Sequence, residues 1–81
     1  MSTTELPQPD LSVDASGRFC PIPILELAKA ARQAQPSQVI ELVATDPGVA
    51  TDVPAWCKAT RNEYLGMVRE DRVLKAYVRK R

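Results

Sequence analysis

The strongest constraint on the fold is the alternation of strand-like and helix-like hydrophobic patterns along only 81 residues. A chain of this length forms one domain with a single modest core. Residues 11–14 alternate apolar and polar side chains, which is typical of a short strand. Residues 21–35 instead repeat apolar side chains at the spacing i, i+3, i+4, i+7, which predicts an amphipathic helix that ends before Pro36.

The remaining segments continue the same alternation. Residues 38–44 are rich in β-branched side chains and predict a central, mostly buried strand. A second helix is expected to begin at Thr51 or Asp52, both good N-cap residues, with Pro54 in its first turn. Residues 64–70 and 72–79 then predict two strands joined by a tight turn. In the last strand we expect three side chains to face the core: Leu74, Ala76 and Val78.

The element order is therefore βαβαββ, in which helical crossovers precede a closing hairpin. Two helices cover only one face of four strands. The sequence thus predicts an α/β two-layer sandwich with a mixed four-stranded sheet and both helices on one side. Residues 1–10, which include Pro7 and Pro9, are interpreted as a flexible lead-in to a single domain over residues 11–81.

Residues that the sequence lacks exclude several kinds of chemistry. The chain has no histidine, so Cys-His and Ser-His dyads and histidine-ligated zinc are excluded. Its two cysteines, Cys20 and Cys57, are too few for a four-thiolate metal site and too far apart for a C-x-x-C pair. No Gly-rich phosphate-binding motif is present. We therefore expect neither a metal nor a cofactor.

Charge and the N-terminal segment bear on location and partners. The net charge of +1 argues against direct nucleic-acid binding. The basic end, Arg79-Lys80-Arg81, is interpreted as an ordinary solvated terminus, with steering of a partner or RNA as the alternative. The first residues do not resemble a secretory signal and no apolar run is long enough for a membrane helix, so we expect a cytoplasmic protein with reduced thiols.

The most informative segment is Cys20-Pro21-Ile22-Pro23. Prolines are tolerated in the first turn of a helix, so this spacing predicts Cys20 at the N-cap, beside the free N–H of Ile22. The helix dipole there, with Arg18 nearby, would lower the thiol pKa.

The residues around this segment fit the same interpretation. Gly17 allows the approach loop to turn tightly, and Phe19 is placed to shelter the sulfur. From these residues alone, a structural cysteine and a functional thiolate are equally supported.

Three further residues admit two interpretations each. Cys57 shares an apolar helical face with Val53 and Trp56, which favours a buried core cysteine over a resolving thiol. Asp46 and Asp52 are interpreted as a turn former and a helix cap. The alternative is that they hold a loop near the sulfur or meet a basic partner.

The pattern D-x-x-G-x-x-C-P-x-P at residues 14–23, after a short N-terminal strand, resembles the TusA (SirA-like) family of small sulfur carriers. Asp46-Pro47 and the segment at residues 52–57 (DVPAWC) extend this resemblance to nearly the whole chain from Leu11. The resemblance implies a sulfurtransferase-type carrier in which Cys20 accepts a sulfane sulfur as a persulfide and passes it on.

The same resemblance implies two protein partners, a sulfur donor (a cysteine desulfurase or a rhodanese-like protein) and an acceptor. Arg18, Phe19 and Ile22 would form the docking surface, with Pro21 and Pro23 supporting the thiol, and the free protein is expected to be a monomer. The tRNA-thiolating members carry glutamate at the position of Ile22. The pathway therefore stays open between tRNA thiolation, cofactor biosynthesis and sulfur oxidation. A regulatory or interaction module and a thiol redox sensor are the alternative functions.

Overall fold

The computed structural model of the protein describes residues 7–81. The six elements follow in the order β1 (Leu11–Ala15), α1 (Ile22–Gln33), β2 (Val39–Ala44), α2 (Val49–Thr60), β3 (Glu63–Glu70) and β4 (Val73–Arg79). This order confirms the predicted βαβαββ arrangement.

The four strands form one mixed sheet in the order β1-β2-β4-β3. The neighbours β1 and β2 run parallel, with Val13 opposite Leu42. The central strand β4 is antiparallel to both β2 and β3, with Ala76 opposite Leu42 on one side and Met67 on the other. Parallel strands need a crossover, which α1 supplies. The predicted two-layer sandwich, with both helices on one face, is confirmed.

The core lies between this face of the sheet and the two helices. From the sheet it takes the alternate residues of β2 and β4, including Leu74, Ala76 and Val78 as predicted. Leu27 of α1 is fully buried against them. Complete burial of a leucine side chain stabilises a fold by roughly 1.5–3 kcal/mol. Helix packing therefore fixes where the loop ahead of α1 begins and ends.

Helix α2 begins earlier than predicted, at Val49 and not at Thr51 or Asp52. Its buried residues Val49, Val53 and Cys57 recur every four positions, so packing of this stripe extends the helix towards its N-terminus. Pro54 consequently lies inside the helix, and the N-cap is Gly48. The helix-cap interpretation of Asp52 is therefore wrong.

Helix α1 is shorter than predicted at both ends, and its N-cap is Pro21. The Leu25 N–H donates to the Pro21 carbonyl at 3.0 Å, which makes Pro21 the first residue of the helical hydrogen-bond ladder. The Ile22 N–H donates to the Phe19 carbonyl at 2.9 Å instead of facing the sulfur. The predicted N-cap position of Cys20 is therefore wrong, since the cysteine lies one residue ahead of the cap.

The uncovered face of the sheet carries a polar chain across three strands. The Tyr77 hydroxyl and the Ser12 hydroxyl both donate to the Glu41 carboxylate, at 2.7 and 2.9 Å. The hydrogen bond to Glu41 raises the pKa of Tyr77 to about 12. These contacts hold β1, β2 and β4 together on the side that no helix covers.

The two ends of the described range, residues 7–81, lie against the rest of the domain. Residues 7–10 form neither helix nor strand, but Asp10 exchanges two hydrogen bonds with Val39, at 2.7 and 2.8 Å. The first six residues of the predicted lead-in lie outside the described range. At the basic end, Arg79 pairs with Glu63 at 3.0 Å, and the Arg81 N–H donates to Asn62. No helix within residues 7–81 is long and apolar enough to cross a membrane.

Candidate functional site

Cys20 lies in the loop that joins β1 to α1, and its side chain is exposed. The Cys20–Pro21 peptide bond is cis. The thiol donates a hydrogen bond to Asp52 Oδ2 at 3.0 Å, and the backbone N–H donates to Asp46 Oδ2 at 2.7 Å. The cysteine is therefore held at two points by the segment that follows β2.

The start of the loop turns on Gly17, whose φ of +78° is readily adopted only by glycine. Its N–H donates to Thr45 Oγ1 at 2.9 Å, and the Arg18 N–H donates to the Ala15 carbonyl at 3.1 Å. Hydrogen bonds from the Ser16 side chain and from the Ser16 N–H, the latter at 2.9 Å, lower the pKa of the Asp14 carboxyl. These bonds fix the approach to Cys20, and the tight turn predicted at Gly17 is confirmed.

Asp46 connects the loop to the start of α2. Its two oxygens accept from two backbone N–H groups, that of Cys20 at 2.7 Å and that of Gly48 at 3.0 Å. These donors hold the pKa of the Asp46 carboxyl below its ordinary value. Asp46 is thus a turn former, as the sequence suggested, and it also holds the loop beside the sulfur.

The environment of the thiol is the reverse of the predicted one. The hydrogen bond to Asp52, partial desolvation and the charges of Asp52 and Asp46 raise the pKa of Cys20 above its ordinary value. A hydrogen bond donated by S–H stabilises the protonated thiol, and neighbouring carboxylates oppose the thiolate. The prediction of a lowered pKa is therefore wrong.

Three large apolar side chains close to Cys20 in the sequence are exposed to solvent. Phe19 is 74% exposed, Leu25 is 60% exposed and Ile22 is 37% exposed. Arg18 and Pro21 are exposed beside them, whereas Pro23 is buried beneath the first turn of α1. Phe19 is thus largely exposed to solvent itself, and a role in sheltering the sulfur stays a prediction. Large apolar side chains exposed together are typical of a protein interaction surface.

Cys57 lies in a different environment. It is only 2% exposed in the core face of α2, and burial raises its pKa to about 11. Its thiol is free, as is that of Cys20. Within residues 7–81 no group of three or more histidine, cysteine or acidic side chains is placed to hold a metal ion.

The sequence offered a position of Asp52 near the sulfur only as an alternative to a helix cap, and it did not predict the exposure of Leu25. Asp52 lies 32 positions from Cys20, so no local pattern reveals the contact. The exposure of Leu25 could have been predicted, because Leu25 lies beside the apolar stripe of α1 and outside its centre.

Comparison with known proteins finds a matching family and several relatives. Residues 11–80 match the family described as "Sulfurtransferase TusA". The Bacillus subtilis protein YrkF is 40% identical over 68 residues, which cover 84% of this chain and 37% of that protein. A sulfur carrier protein TusA of Allochromatium vinosum is 43% identical over 56 residues, or 69% of this chain and 74% of that protein.

A solved structure shares the architecture at low identity. The SirA-like protein from Desulfitobacterium hafniense superposes with a TM-score of 0.75 at 15% sequence identity, covering 85% of this chain and 95% of that one. The chain spans little more than a third of the first curated relatives, 37% and 36% of their lengths. The sheet, its two helices and the thiol-bearing loop define a small α/β domain with one exposed and one buried thiol. The chain belongs to the TusA family.

Proposed function

We propose that this protein is a sulfur carrier of the sulfurtransferase type, in which Cys20 accepts a sulfane sulfur from a donor protein and passes it to an acceptor. The observation that carries the proposal is the exposed thiol of Cys20, held on a hydrogen-bonded loop in a chain of the TusA family. Relatives named sulfur carrier proteins support the same role.

The chemistry needs one accessible thiol and no cofactor. The Cys20 sulfur attacks the outer sulfur of the donor persulfide, so a Cys20–S bond to that sulfur forms and the donor S–S bond breaks. The proton lost by the Cys20 thiol is matched by one taken up by the leaving donor sulfur. The products are the persulfide Cys20–S–SH and the donor thiol. Attack by an acceptor thiol on the outer sulfur returns Cys20 to the thiol. Neither transfer requires a net oxidant or reductant.

We propose that donor and acceptor use the same docking surface in turn, formed by Phe19, Ile22 and Leu25 with Arg18 at its margin. Both proteins must reach the Cys20 sulfur, which only this side of the domain exposes, so the two complexes exclude one another. Ile22 contributes apolar contact where a glutamate would contribute charge. We therefore expect weak salt dependence of docking.

The reduced thiols that this relay requires suit the cytoplasm, which we propose as its compartment. The redox-sensor alternative is less well supported, because sensor cysteines have low pKa values and that of Cys20 is raised.

Intact mass measured after incubation with a cysteine desulfurase and cysteine tests the proposal. We expect addition of one sulfur atom, removed by a thiol reductant, in the wild type and in Cys57→Ser. Cys20→Ser should show no addition while keeping the far-ultraviolet circular dichroism of the wild type. Equal addition to the two single variants would contradict the assignment, and oxygen adducts alone would favour a redox sensor.

A further inference from the structure

The two carboxylates beside Cys20 differ in what they bind. Asp46 accepts from two backbone N–H groups, so its position is set by the loops that it joins. Asp52 has one side-chain hydrogen bond among those formed within residues 7–81, the one donated by the Cys20 thiol at 3.0 Å. Asp46 therefore has a structural role, whereas Asp52 directly contacts the sulfur that reacts.

The groups around the thiol belong to three parts of the chain besides its own loop position: the start of α2, the loop after β2 and the first turn of α1. Asp52 lies in the first turn of α2 and Asp46 in the loop after β2, and both are anionic. The first turn of α1 contains no acidic residue, and its residues 22–25 are uncharged. Arg18 lies on the cysteine's own loop and is exposed to solvent. Among the described residues, the two groups that contact Cys20 through hydrogen bonds from its thiol and its N–H are thus both carboxylates.

We infer that Asp52 restrains the reactivity of Cys20 in the free carrier, by accepting the S–H hydrogen bond and holding the sulfur in its protonated form. This inference rests on the proposed function only for the biological purpose that the restraint would serve. A protonated thiol is a weak nucleophile and resists oxidation, since the thiolate is the reactive species. A carrier that waits for its donor is thereby protected from small electrophiles and oxidants.

A carboxylate in the first turn of a helix also has a purely structural explanation. A carboxylate there interacts favourably with the helix dipole, whatever it does to a neighbouring thiol. This structural explanation predicts a change in melting temperature for variants of Asp52 and no change in the ionisation of Cys20. The pH profile of the thiol therefore separates the two explanations.

The experiment measures the rate of Cys20 alkylation by iodoacetamide across the pH range in which thiols ionise. This reagent is uncharged, so removal of a carboxylate does not alter its electrostatic attraction to the site. Asp52→Asn keeps the shape of the side chain and removes its charge. Asp71→Asn is the matched control, because Asp71 lies in the β3–β4 turn with a φ of 58° that asparagine also adopts.

We expect Asp52→Asn to shift the alkylation profile to lower pH. Its rate at neutral pH should rise by about threefold, because a larger thiolate fraction is partly offset by the lower nucleophilicity of a more acidic thiol. Asp71→Asn should superpose on the wild type. An unchanged profile in Asp52→Asn, or a shift to higher pH, would overturn the inference. If Asp52→Asn does not fold, Asp52→Ser provides the same comparison.

The result is separable from the test of the proposed function. Alkylation requires no sulfur donor, so it reports on Asp52 even if no sulfur is ever added to Cys20. If sulfur is added but the alkylation profiles coincide, the inference about Asp52 fails and the carrier function stands. If the profiles differ and no sulfur is added, the carrier function fails alone.

Discussion

Replacing Phe19 with alanine tests whether the surface around Cys20 is where a donor protein docks. Phe19 is 74% exposed in the free domain and lies next to the reacting cysteine. A phenylalanine side chain offers about 150 Å² or more of contact area, so roughly 110 Å² of it faces solvent here.

At about 25 cal/mol per Å², full coverage of that area would contribute roughly 3 kcal/mol. Alanine keeps part of the contact, and buried area converts incompletely into affinity. We therefore expect Phe19→Ala to weaken the free energy of binding to the donor by about 1.4 kcal/mol, which is a tenfold loss of affinity. Because the side chain is already exposed, the free energy of unfolding of the free domain should hardly change.

The assay compares single-turnover sulfur addition to Cys20 from a cysteine desulfurase and from inorganic polysulfide. Phe19→Ala should raise the concentration of desulfurase needed for half-maximal rate about tenfold, and it should leave the reaction with polysulfide unchanged. The control is Val68→Ala, an apolar truncation at a position 37% exposed on β3. An unchanged reaction with the desulfurase, or an equal loss with polysulfide, would refute docking at Phe19.

Four further outcomes follow from the same contacts. Ile22→Glu should slow transfer to the acceptor and make it more sensitive to salt, while polysulfide still reacts with Cys20; equal rates at low and high salt would place Ile22 outside the docking surface. Gly17→Ala should cost about 1–2 kcal/mol in chemical denaturation, because alanine is strained at a φ of +78° although no atom lies within 4 Å of its added Cβ, and Gly17→Asn should cost less. Cys57→Ser should lose about 1–3 kcal/mol of stability on burial of a hydroxyl and still accept sulfur. The lowered pKa of Asp46 means that its contribution to stability is present above its ordinary value of 3.8 and is lost as the pH falls through the lower folded-state pKa, so the protection of the Cys20 amide from hydrogen exchange, relative to the unfolded chain, should fall in that acidic range.

The strands were predictable because their signals are local. Alternation of apolar and polar side chains in β4 placed Leu74, Ala76 and Val78 on the core side without knowledge of the neighbouring strands. The start of α2 was missed because Pro54 was taken as a first-turn residue. Val49 extends the apolar spacing of Val53 by one turn, so the true start was encoded in the same stripe.

The sequence singled out Cys20 as the candidate thiol of the site, but it did not indicate the electrostatic surroundings of that thiol. Cys20 stands out by sequence alone, because two prolines follow it closely. The carboxylates that act on its thiol come from 26 and 32 positions further along the chain. The helix dipole is a local property and indicates a lowered pKa, whereas the tertiary contact with Asp52 reverses the direction.

The bonds that hold the thiol loop have a consequence for the newly made chain. Thr45, Asp46 and Asp52 all follow the first strand–helix pair, so a ribosome must release β2 and the start of α2 before any of them can contact the loop. Until then Cys20 is an ordinary thiol on an unrestrained peptide. The contacts that position Cys20 therefore form only once the chain has folded through the start of α2, and a shorter nascent chain presents neither the hydrogen-bonded thiol nor the ordered loop around it.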